Sequence, residues 1–445
     1  MTPRDVARRV LDRVDKGGAW ATLSLDGELS RSGLDERDRR LASELVYGVL
    51  RHRARLDRAL AAHAELKRTP PRVVTALRVA AYQLLFLDRV PGYAAVDDAV
   101  NAARAAGGAK LAGFCNAVLR KLTTSGEPAL PQDPRARLEI EHSLPSWIAS
   151  ELAATMDDPL GEPATGGAAR QPAVTLGQPT PSLGGRLGEL AAGFSQPAPI
   201  IARGNALRTT REALAGELST AGITATPVAA APMALALEGL GDPSRNASFR
   251  AGRWTVQDTG AQLVGLTAAP RPGQRILDAC AGVGGKSTHL AELCGDAAAI
   301  DAADQSATKL TLAAQTAQRL GITSLRCQVC DLLDPAAPLA TAYDLIVLDA
   351  PCSGLGVLRR HPDAKWRLKP EDVPRLAQLQ RQLLDAVAAR LAPGGALIYS
   401  VCTFTRAEGP DQVAALVART GLRLVAEHRT WPPDADAFYI ARLER

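Results

Sequence analysis

Aromatic residues, methionine and long apolar runs are scarce in this chain of 445 residues. Phe, Tyr and Trp together make up 4% of the positions, and Met occurs 3 times. No run of about 18 apolar residues occurs, which excludes a hydrophobic helix that spans a membrane. The first residues lack the apolar segment of a signal peptide. The sequence therefore predicts a cytoplasmic protein with no membrane partner.

The cysteines do not form a disulfide framework, because there are 7 of them and they are scattered along the chain. Cys327 and Cys330 form a Cys-x-x-Cys, but a zinc site would need a second pair or suitably spaced histidines. We therefore predict no metal site. Free thiols in a reducing compartment suit an enzyme that uses cysteine in its chemistry.

Charge is distributed unevenly between the front of the chain and the remainder. Residues 1–140 contain 24 Lys and Arg against 17 Asp and Glu, whereas the remaining residues contain 28 against 30. A basic lobe on a neutral protein indicates an anionic partner such as nucleic acid. A solvated helical surface would give the same charge balance, so charge alone does not decide between the two.

Helical spacing of apolar residues extends from residue 3 to about residue 125 and predicts a compact helical bundle. Several prolines over 126–145 predict a linker, and residues 157–200 are typical of a loop-rich segment. A helix from Thr209 to Leu218, with strands on either side, predicts a small α+β module.

Apolar strand-like runs alternate with helical patterns from about residue 250 onward. The runs cover 275–279, 297–303, 324–329, 343–348 and 396–401. This alternation predicts a parallel, doubly wound sheet. The predicted fold is multidomain, with an all-α bundle (1–128), a linker with a small α+β module (140–238) and an α/β Rossmann-like domain (239–445).

A glycine-rich loop follows the first of these strands and predicts a cofactor site. It consists of Cys280, Ala281, Gly282, Val283, Gly284, Gly285 and Lys286. Glycines allow the backbone to approach a ligand closely, and the helix that starts near Ser287 offers free N–H groups.

Acidic residues end the next two strands of the predicted sheet. Asp304 lies 18 positions beyond Lys286, near the spacing at which an acid binds ribose hydroxyls, and Asp331 could accept from an adenine amino group. Asp301 competes with Asp304 for this role. A helix N-cap would explain any one of these acids equally well. Acids at consecutive strand ends beside a glycine loop favour a nucleotide-like cofactor.

Two cysteines follow predicted central strands. Cys352 lies in Asp349-Ala-Pro-Cys-Ser-Gly, and Cys402 lies in Tyr399-Ser-Val-Cys-Thr. Loops at the carboxyl ends of neighbouring strands converge on one crevice, so both thiols should share a pocket with the glycine loop. An isolated buried cysteine is usually inert, but two at strand ends favour a sulfur nucleophile beside a methyl donor.

Methylation of carbon 5 of cytosine requires this combination of groups. Carbon 5 becomes nucleophilic only after a thiolate has attacked carbon 6. A free thiol has a pKa of about 8.5, so the attacking cysteine needs positive surroundings. Lys286, Lys365 or the run from Arg359 to His361 could supply them. Position alone does not tell which cysteine attacks.

At these residues the sequence resembles the Sun/Nop2 family of RNA 5-methylcytosine methyltransferases, and in particular its subgroup acting on bacterial small-subunit ribosomal RNA. The segment from Asp349 to Trp366 and the segment from Tyr399 to Thr403 follow the two cysteine motifs of that family. The helical front resembles the NusB-type RNA-binding domain through residues 39–50 and 114–120. The likeness covers nearly the whole chain.

The resemblance implies a role for each motif. Cys402 would attack carbon 6, Cys352 would assist release of the methylated product, and Asp349 would contact the cytosine edge. S-adenosylmethionine would be bound by residues 280–286 together with Asp304, Asp331 and Asp349. The implied partner is small-subunit ribosomal RNA, and no obligate protein partner is implied.

The chain departs from the family pattern at two places. Gly282-Val283 replaces an Ala-Pro pair, which predicts a more flexible cofactor loop. Arg203-Gly204-Asn205 stands where the family has Arg, a hydrophobic residue and Asn, in the module from which the resemblance implies RNA contacts.

Three other functions compete with this interpretation. A DNA cytosine methyltransferase would attack through the cysteine of the Pro-Cys motif and would not need the second thiol. A non-catalytic RNA-binding or assembly factor would use the helical front alone. A methyltransferase acting on amino groups is disfavoured, because Asp-Ala-Pro-Cys lacks the aromatic residue that stacks on the target base.

Overall fold

The structure, a computed structural model, describes residues 1–88, 90–156 and 183–445. The described chain divides into two compact units. The first, which we call the helical unit, comprises residues 1–153, 183–196 and 358–368. The second, which we call the sheet unit, comprises residues 154–156, 197–357 and 369–445.

Helices account for the front of the chain, as the periodicity predicts. Their bounds are α1 Pro3–Gly17, α2 Ala21–Ser32, α3 Glu36–Arg51, α4 Arg53–Ala61, α5 Pro71–Phe86, α6 Gly92–Ser125, α7 Pro134–Glu141, α8 Ser146–Met156 and α9 Leu183–Ser195. Helix α6 is interrupted at Gly107 and Gly108, whose backbone angles are not helical.

Two of these helices lie where the sequence predicted linker or loop. Helix α7 falls within the predicted linker, because Pro134 occupies the first turn, where proline is tolerated, and Asp133 caps that turn. Helix α9 falls within the segment 157–200, which was predicted to be loop-rich. Residues 157–182 of that segment lie outside the described residues.

Side-chain caps and an apolar stripe explain the N-terminal helices. Thr2 and Asp5 form a reciprocal capping box at the start of α1, and Asp35 caps α3. Val6 and Val10 of α1 are completely buried in the core of the helical unit. Burial of such side chains stabilises the bundle by roughly 1.5–3 kcal/mol per residue.

Residues 358–368 lie far from the other parts of the helical unit in sequence but belong to it. Lys365 Nζ donates to the carbonyls of Arg51 (3.3 Å) and His142 (3.2 Å), and Trp366 Nε1 donates to that of Leu50 (2.7 Å). Burial, reinforced by the charge of Arg51, lowers the pKa of Lys365 to about 7. From the sequence, Lys365 was one candidate for the positive charge near the nucleophilic cysteine. In the structure its hydrogen bonds are made within the helical unit instead.

The sheet unit begins with a four-stranded antiparallel sheet. Its strands are β1 Ile200–Gly204, β2 Thr224–Pro227, β3 Ala234–Glu238 and β4 Trp254–Val256, in the order β2-β3-β1-β4. The helix predicted over 209–218 is α10 (Arg211–Thr220), whose Leu214 and Leu218 pack in the core of this small sheet with Trp254. The predicted α+β module is therefore present.

The second sheet of this unit has seven strands in the order β10-β11-β9-β8-β5-β6-β7. Their bounds are β5 Arg275–Asp278, β6 Ala299–Asp304, β7 Leu325–Val329, β8 Tyr343–Asp349, β9 Leu391–Val401, β10 Arg423–Arg429 and β11 Tyr439–Glu444. The other helices after α10 are α11 Ala247–Arg250, α12 Thr259–Ala268, α13 Gly285–Leu293, α14 Ala307–Leu320, α15 Ala364–Arg367 (part of the helical unit), α16 Asp372–Ala388 and α17 Pro410–Thr420.

The predicted parallel, doubly wound sheet is confirmed for its five predicted strands, but the sheet also has an antiparallel edge. Strands β7, β6, β5, β8 and β9 pair in parallel, but β11 runs antiparallel to both β9 and β10. The sequence prediction missed β10 and β11. Strand β10 is only partly buried and includes charged residues, so it lacks the continuous apolar run of a central strand.

Strand order reverses between β5 and β8, which are adjacent in the sheet. The chain proceeds from β5 to β6 and β7 on one side, then crosses to β8 and β9 on the other. Ligands bind outside the carboxyl ends of the strands at such a switch point. Across the described ranges, every helix is too short or too polar to cross a lipid bilayer. No cluster of three or more metal-ligating side chains is found in the same ranges.

Candidate active site

The glycine loop turns sharply between β5 and α13. Gly282 has φ of 57° and Gly284 has φ of 81°, a left-handed backbone that costs other residues roughly 1–2 kcal/mol. Helix α13 starts at Gly285, two residues before the predicted start. A Cβ atom on Gly284 would lie 2.7 Å from Ala313 Cβ, so this position also lacks space for a side chain. Gly282, one of the departures from the family pattern, therefore suits the backbone at its position.

The three candidate acids lie in different surroundings. Asp304 ends β6, is partly exposed, and accepts from the backbone N–H groups of Gly282 (3.0 Å) and Ser306 (2.8 Å). Asp301 is buried, and its oxygens accept from Arg326 and from the hydroxyl of Tyr343 (2.8 Å). Asp304 is therefore hydrogen-bonded to the glycine loop, whereas Asp301 bonds to side chains of β7 and β8.

Asp331 lies outside the glycine loop, whereas Cys280 is the first residue of that loop. Asp331 follows β7 at the edge of the sheet, is exposed, and accepts from the N–H of Leu333 at 2.9 Å. Cys280 is partly exposed, and burial together with the charge of Asp278 raises its pKa above the ordinary value.

Lys286 and Asp349 connect the glycine loop with the end of β8. Lys286 Nζ lies 2.6 Å from Asp349 Oδ2, and Ser400 Oγ donates to Asp349 Oδ1 at 2.7 Å. Burial alone would lower the pKa of Lys286, but the charge and hydrogen bond of Asp349 outweigh it and raise the pKa. The ammonium group therefore remains charged at the carboxyl ends of β5, β8 and β9.

Asp278 is a member of the site that sequence reasoning missed. It ends β5, is completely buried, and accepts from Ser287 Oγ at 2.6 Å. Burial raises its pKa to about 6, although the bond from Ser287 and the charge of Lys286 act in the opposite direction. In the sequence, the position of Asp278 directly before the glycine loop was the signal that it could belong to the site. An Asp at the end of a strand, however, more often caps the following helix.

The two predicted thiols lie side by side. The Sγ atoms of Cys352 and Cys402 are 3.3 Å apart, and both residues are partly exposed. The two loops are also joined by their backbones, because Ala350 N–H donates to Ser400 O and Gly356 N–H donates to Cys402 O, each at 2.9 Å. The hydrogen bond with Cys402, reinforced by burial, raises the pKa of Cys352 well above its ordinary value.

The small α+β module does not expose Arg203 and Asn205, the polar side chains that were expected to contact RNA. Arg203 and Asn205 are both completely buried. Arg203 forms a salt bridge with Glu292 of α13 at 2.7 Å and donates to Gly285 O at 2.8 Å. The RNA contacts that the resemblance implied therefore cannot come from these two side chains. Arg203 instead bonds both ends of α13, and Asn205 Nδ2 donates to the carbonyls of Gly252 (2.8 Å) and Leu320 (2.9 Å).

The structure thus brings together the glycine loop, Lys286, Asp349 and both cysteines, with Asp304 held against the loop. Asp331 lies two strands away from β5 at the same edge of the sheet. Ser400 and Glu408, which contact this group, were not identified from the sequence. Ser400 lies within the Tyr399-Ser-Val-Cys-Thr motif, but its bond to Asp349, like that of Glu408 to Ser353, joins segments that are distant in sequence.

Comparisons with protein families account for most of the chain. Residues 265–444 match the 16S rRNA methyltransferase RsmB/F family, and residues 1–124 match the NusB family. Residues 182–242 match the ferredoxin-like domain of RsmF/B-like methyltransferases.

Similar proteins are found among bacteria. The chain is 33% identical over 438 residues to a protein named probable ribosomal RNA small subunit methyltransferase B from Synechocystis sp., covering 97% of this chain and 90% of that protein. It is also 33% identical over 424 residues to ribosomal RNA small subunit methyltransferase B from Vibrio cholerae, covering 92% and 90% of the two chains.

Solved structures share the fold. PH0851 superimposes with a TM-score of 0.78 at 21% identity, covering 100% of this chain and 99% of its own. NSun6 from Pyrococcus horikoshii with SFG superimposes with a TM-score of 0.54 at 20% identity, covering 59% and 94% of the two chains.

Fold and site define a Rossmann-like methyltransferase domain preceded by a NusB-like helical domain and a ferredoxin-like module. The extent of the sequence match is what identifies the family. The chain belongs to the RsmB/F family of 16S rRNA methyltransferases.

Proposed function

We propose that this protein methylates carbon 5 of a specific cytosine in small-subunit ribosomal RNA, through a covalent bond between Cys402 and carbon 6. The observation that carries the proposal is the pair of thiols at 3.3 Å beside the Lys286–Asp349 ion pair. The names of the bacterial relatives support small-subunit ribosomal RNA as the substrate. We further propose that the enzyme acts in the cytoplasm and needs no obligate protein partner.

The residues around the glycine loop fit S-adenosylmethionine. Gly282 leaves the backbone open to a ligand, since a Cβ there would meet nothing within 4 Å, and the N-terminal turn of α13 suits its carboxylate. Asp304 would accept from the ribose hydroxyls, Asp331 from the adenine amino group, and Asp349 would border the methyl group. When bound, this cofactor supplies an electrophilic methyl group on a positively charged sulfur.

We assign nucleophilic attack, contact with the cytosine and proton acceptance to side chains at the ends of β8 and β9. The Cys402 thiolate attacks carbon 6 of the cytosine. Asp349 contacts the polar edge of the cytosine and holds it in place. Transfer of the methyl group leaves a proton on carbon 5, which Cys352 accepts. The bond between carbon 6 and sulfur then breaks and returns the Cys402 thiolate.

Incubation of the enzyme with small-subunit ribosomal RNA and labelled S-adenosylmethionine tests the proposal. We expect digestion of the RNA to nucleosides to yield labelled 5-methylcytidine, and digestion to oligonucleotides of known sequence to place the label at one position. Cells that lack the protein should lose the methyl group at the same position. Label on an exocyclic nitrogen or on adenosine, or transfer to DNA of the same sequence but not to RNA, would contradict the proposal.

Replacement of Asp304 by Asn should weaken the binding of S-adenosylmethionine. The substitution removes the charged acceptor and leaves the fold of β6 in place. Hydrogen bonds to a charged group contribute about 1.5–3 kcal/mol, so we expect the Kd to rise about 10- to 100-fold in calorimetry. Asp301→Asn is the matched control, because this acid bonds within the sheet, and its Kd should stay within about threefold. Equal effects of the two substitutions would exclude the ribose role.

A basic groove in the helical unit is a candidate contact for RNA phosphates. The groove has a volume of about 420 Å³, and Arg9, Arg13, Lys16 and Arg72 contribute to its lining. Arg13 also pairs with the buried Glu28 at 2.8 Å, so Lys16 and Arg72 are the better positions to test. The groove, whose lining also includes Asp12, is a specific location at which an anionic partner can be tested against a merely solvated surface.

The double substitution of Lys16 and Arg72 by Met should weaken RNA binding and reduce its dependence on salt. Each phosphate contact contributes about 0.7–0.9 to the slope of log K against log salt, so we expect the slope to fall by about 1.5. Fluorescence anisotropy at several salt concentrations measures this slope. The double substitution of the exposed Lys110 and Lys121 by Met is the control. An unchanged slope in the groove variant would exclude the groove as a phosphate contact.

A further inference from the structure

Glu408 is a buried acid beside the two thiols to which neither the sequence motifs nor the proposed mechanism gives a role. It lies between the end of β9 and the start of α17, six residues after Cys402, and is completely buried. A carboxylate at such a place is costly unless its oxygens are bound by donors.

Four donors surround this carboxylate. Oε1 accepts from the N–H of Ser353 at 2.8 Å and from Gln380 Nε2 at 3.1 Å. Oε2 accepts from Ser353 Oγ at 2.6 Å and from Thr405 Oγ1 at 2.9 Å. The two N–H groups can only donate, and each hydroxyl is able to donate, so both oxygens of Glu408 can be satisfied as acceptors.

These bonds join the two loops that carry the sulfur atoms. Ser353 directly follows Cys352, and its hydroxyl is also 2.9 Å from that of Thr403, which directly follows Cys402. Tyr399 donates to the backbone carbonyl of Glu408 at 2.6 Å, which fixes the acid to β9. A side chain that bonds both loops controls how far apart the two sulfur atoms lie.

We propose that Glu408 is a positioning residue whose carboxylate ties the loop after Cys352 to the loop after Cys402, and thereby fixes the separation of the two sulfur atoms and which of them retains the proton. The inference rests on the proposed roles of the two cysteines. It assigns the protonated state to Cys352 in the resting enzyme and leaves Cys402 as the nucleophile.

The charges that face Cys352 agree with this assignment. Cys402 on the neighbouring strand, Glu408 and Asp349 are all acidic, and together with burial they raise the pKa of Cys352. Tyr399 also faces it, and the positive charge of Lys286 is directed to Asp349. When Cys402 is bonded to carbon 6, its charge no longer opposes ionisation of Cys352. Cys352 then gives its own proton to solvent water, and the resulting thiolate accepts the proton from carbon 5.

Thiol reactivity tests the inference without RNA or cofactor. The full-length protein is treated with iodoacetamide between pH 6 and pH 10, and alkylation at each cysteine is quantified by peptide mass spectrometry. In the unmodified protein, Cys402 should react before Cys352. In Glu408→Gln, which keeps the shape but removes the charge, the pH midpoint for Cys352 should fall by about one unit, and the reactivity ratio of Cys402 to Cys352 near neutral pH should fall about tenfold.

Asp301→Asn is the control, since it removes another buried carboxylate of the same sheet that bonds Arg326 and Tyr343. It should leave both reactivities unchanged. If Glu408 had only a structural role, Glu408→Gln would have a lower melting temperature but an unchanged ratio of Cys402 to Cys352 reactivity. That result, or an equal change in both variants, overturns the inference.

Ser353→Ala provides a second test if Glu408→Gln does not fold. Loss of the hydrogen bond from Ser353 Oγ to Glu408 should lower kcat of methyl transfer about tenfold, with KM for RNA and for S-adenosylmethionine unchanged. Ser353→Thr should restore kcat. An unchanged kcat in Ser353→Ala overturns the positioning role. If the expected thiol reactivities are found but the unmodified enzyme transfers no methyl group, the proposed function fails while the role of Glu408 stands.

Discussion

Replacement of Cys402 by Ala is expected to lower methyl transfer to small-subunit ribosomal RNA by about 10³-fold or more. Removal of a covalent nucleophile removes the whole pathway that depends on it, and binding energy does not compensate. Binding of RNA and of S-adenosylmethionine should remain, because Cys402 lies on a loop whose backbone is held by Gly356. Single-turnover kinetics with labelled cofactor measure the loss. Cys327→Ser, at a partly exposed cysteine of β7, should keep nearly full activity.

Replacement of Cys352 by Ala should give the opposite pattern. Attack by Cys402 does not need the second thiol, but loss of the proton from carbon 5 does. We therefore expect a covalent complex with RNA that survives denaturing electrophoresis, while multiple turnover stops. A covalent complex in Cys402→Ala but not in Cys352→Ala would reverse the roles and favour the mechanism of the DNA enzymes.

Replacement of Arg203 by Met is expected to destabilise the sheet unit by about 3–5 kcal/mol, because it leaves the buried Glu292 without its partner. The guanidinium group bonds Glu292 through Nε (3.0 Å) and Nη2 (2.7 Å) and also donates to Thr288 Oγ1 (3.0 Å). Burial raises the pKa of Glu292 even with Arg203 present. Urea denaturation followed by fluorescence and circular dichroism measures the change.

The double variant Arg203→Met with Glu292→Leu distinguishes a lost charge pair from a lost packing contact. Replacement of a whole buried ion pair by apolar side chains is often nearly neutral, so we expect the double variant to recover most of the stability. Two independent contributions would instead add in the double variant. A loss below about 1 kcal/mol in Arg203→Met would show that the pair does not support the fold.

The central parts of the fold could be predicted because their signals are local. Strands β8 and β9 contain apolar runs, over 345–348 and 396–399, and α1 to α6 carry apolar residues at helical spacing. The glycine loop follows β5 and the two cysteine motifs follow β8 and β9, so the topology of a doubly wound sheet brings their loops to one crevice. Parallel strand order alone was enough to predict that the two thiols would be neighbours.

What could not be predicted depends on contacts between distant segments. Strand β11 pairs with β9, and its antiparallel direction is set by the chain reversal after β10 rather than by its own residues. Glu408 meets Ser353 across 55 positions of sequence, and Arg203 meets Glu292 across 89. The burial of Arg203 and Asn205 reverses the expectation of RNA contacts, because arginine in a sequence is usually exposed.

The most direct test of the central claim is to identify the atom of the enzyme that bonds to the substrate. RNA that carries 5-fluorocytidine at the modified position cannot lose fluorine from carbon 5 as a proton is lost, so the covalent complex should persist after methyl transfer. Digestion and mass spectrometry then locate the attached nucleotide. We expect a methylated fluorocytidine on the peptide that contains Cys402. Attachment at Cys352, or no attachment while methyl transfer to normal RNA proceeds, would contradict the account.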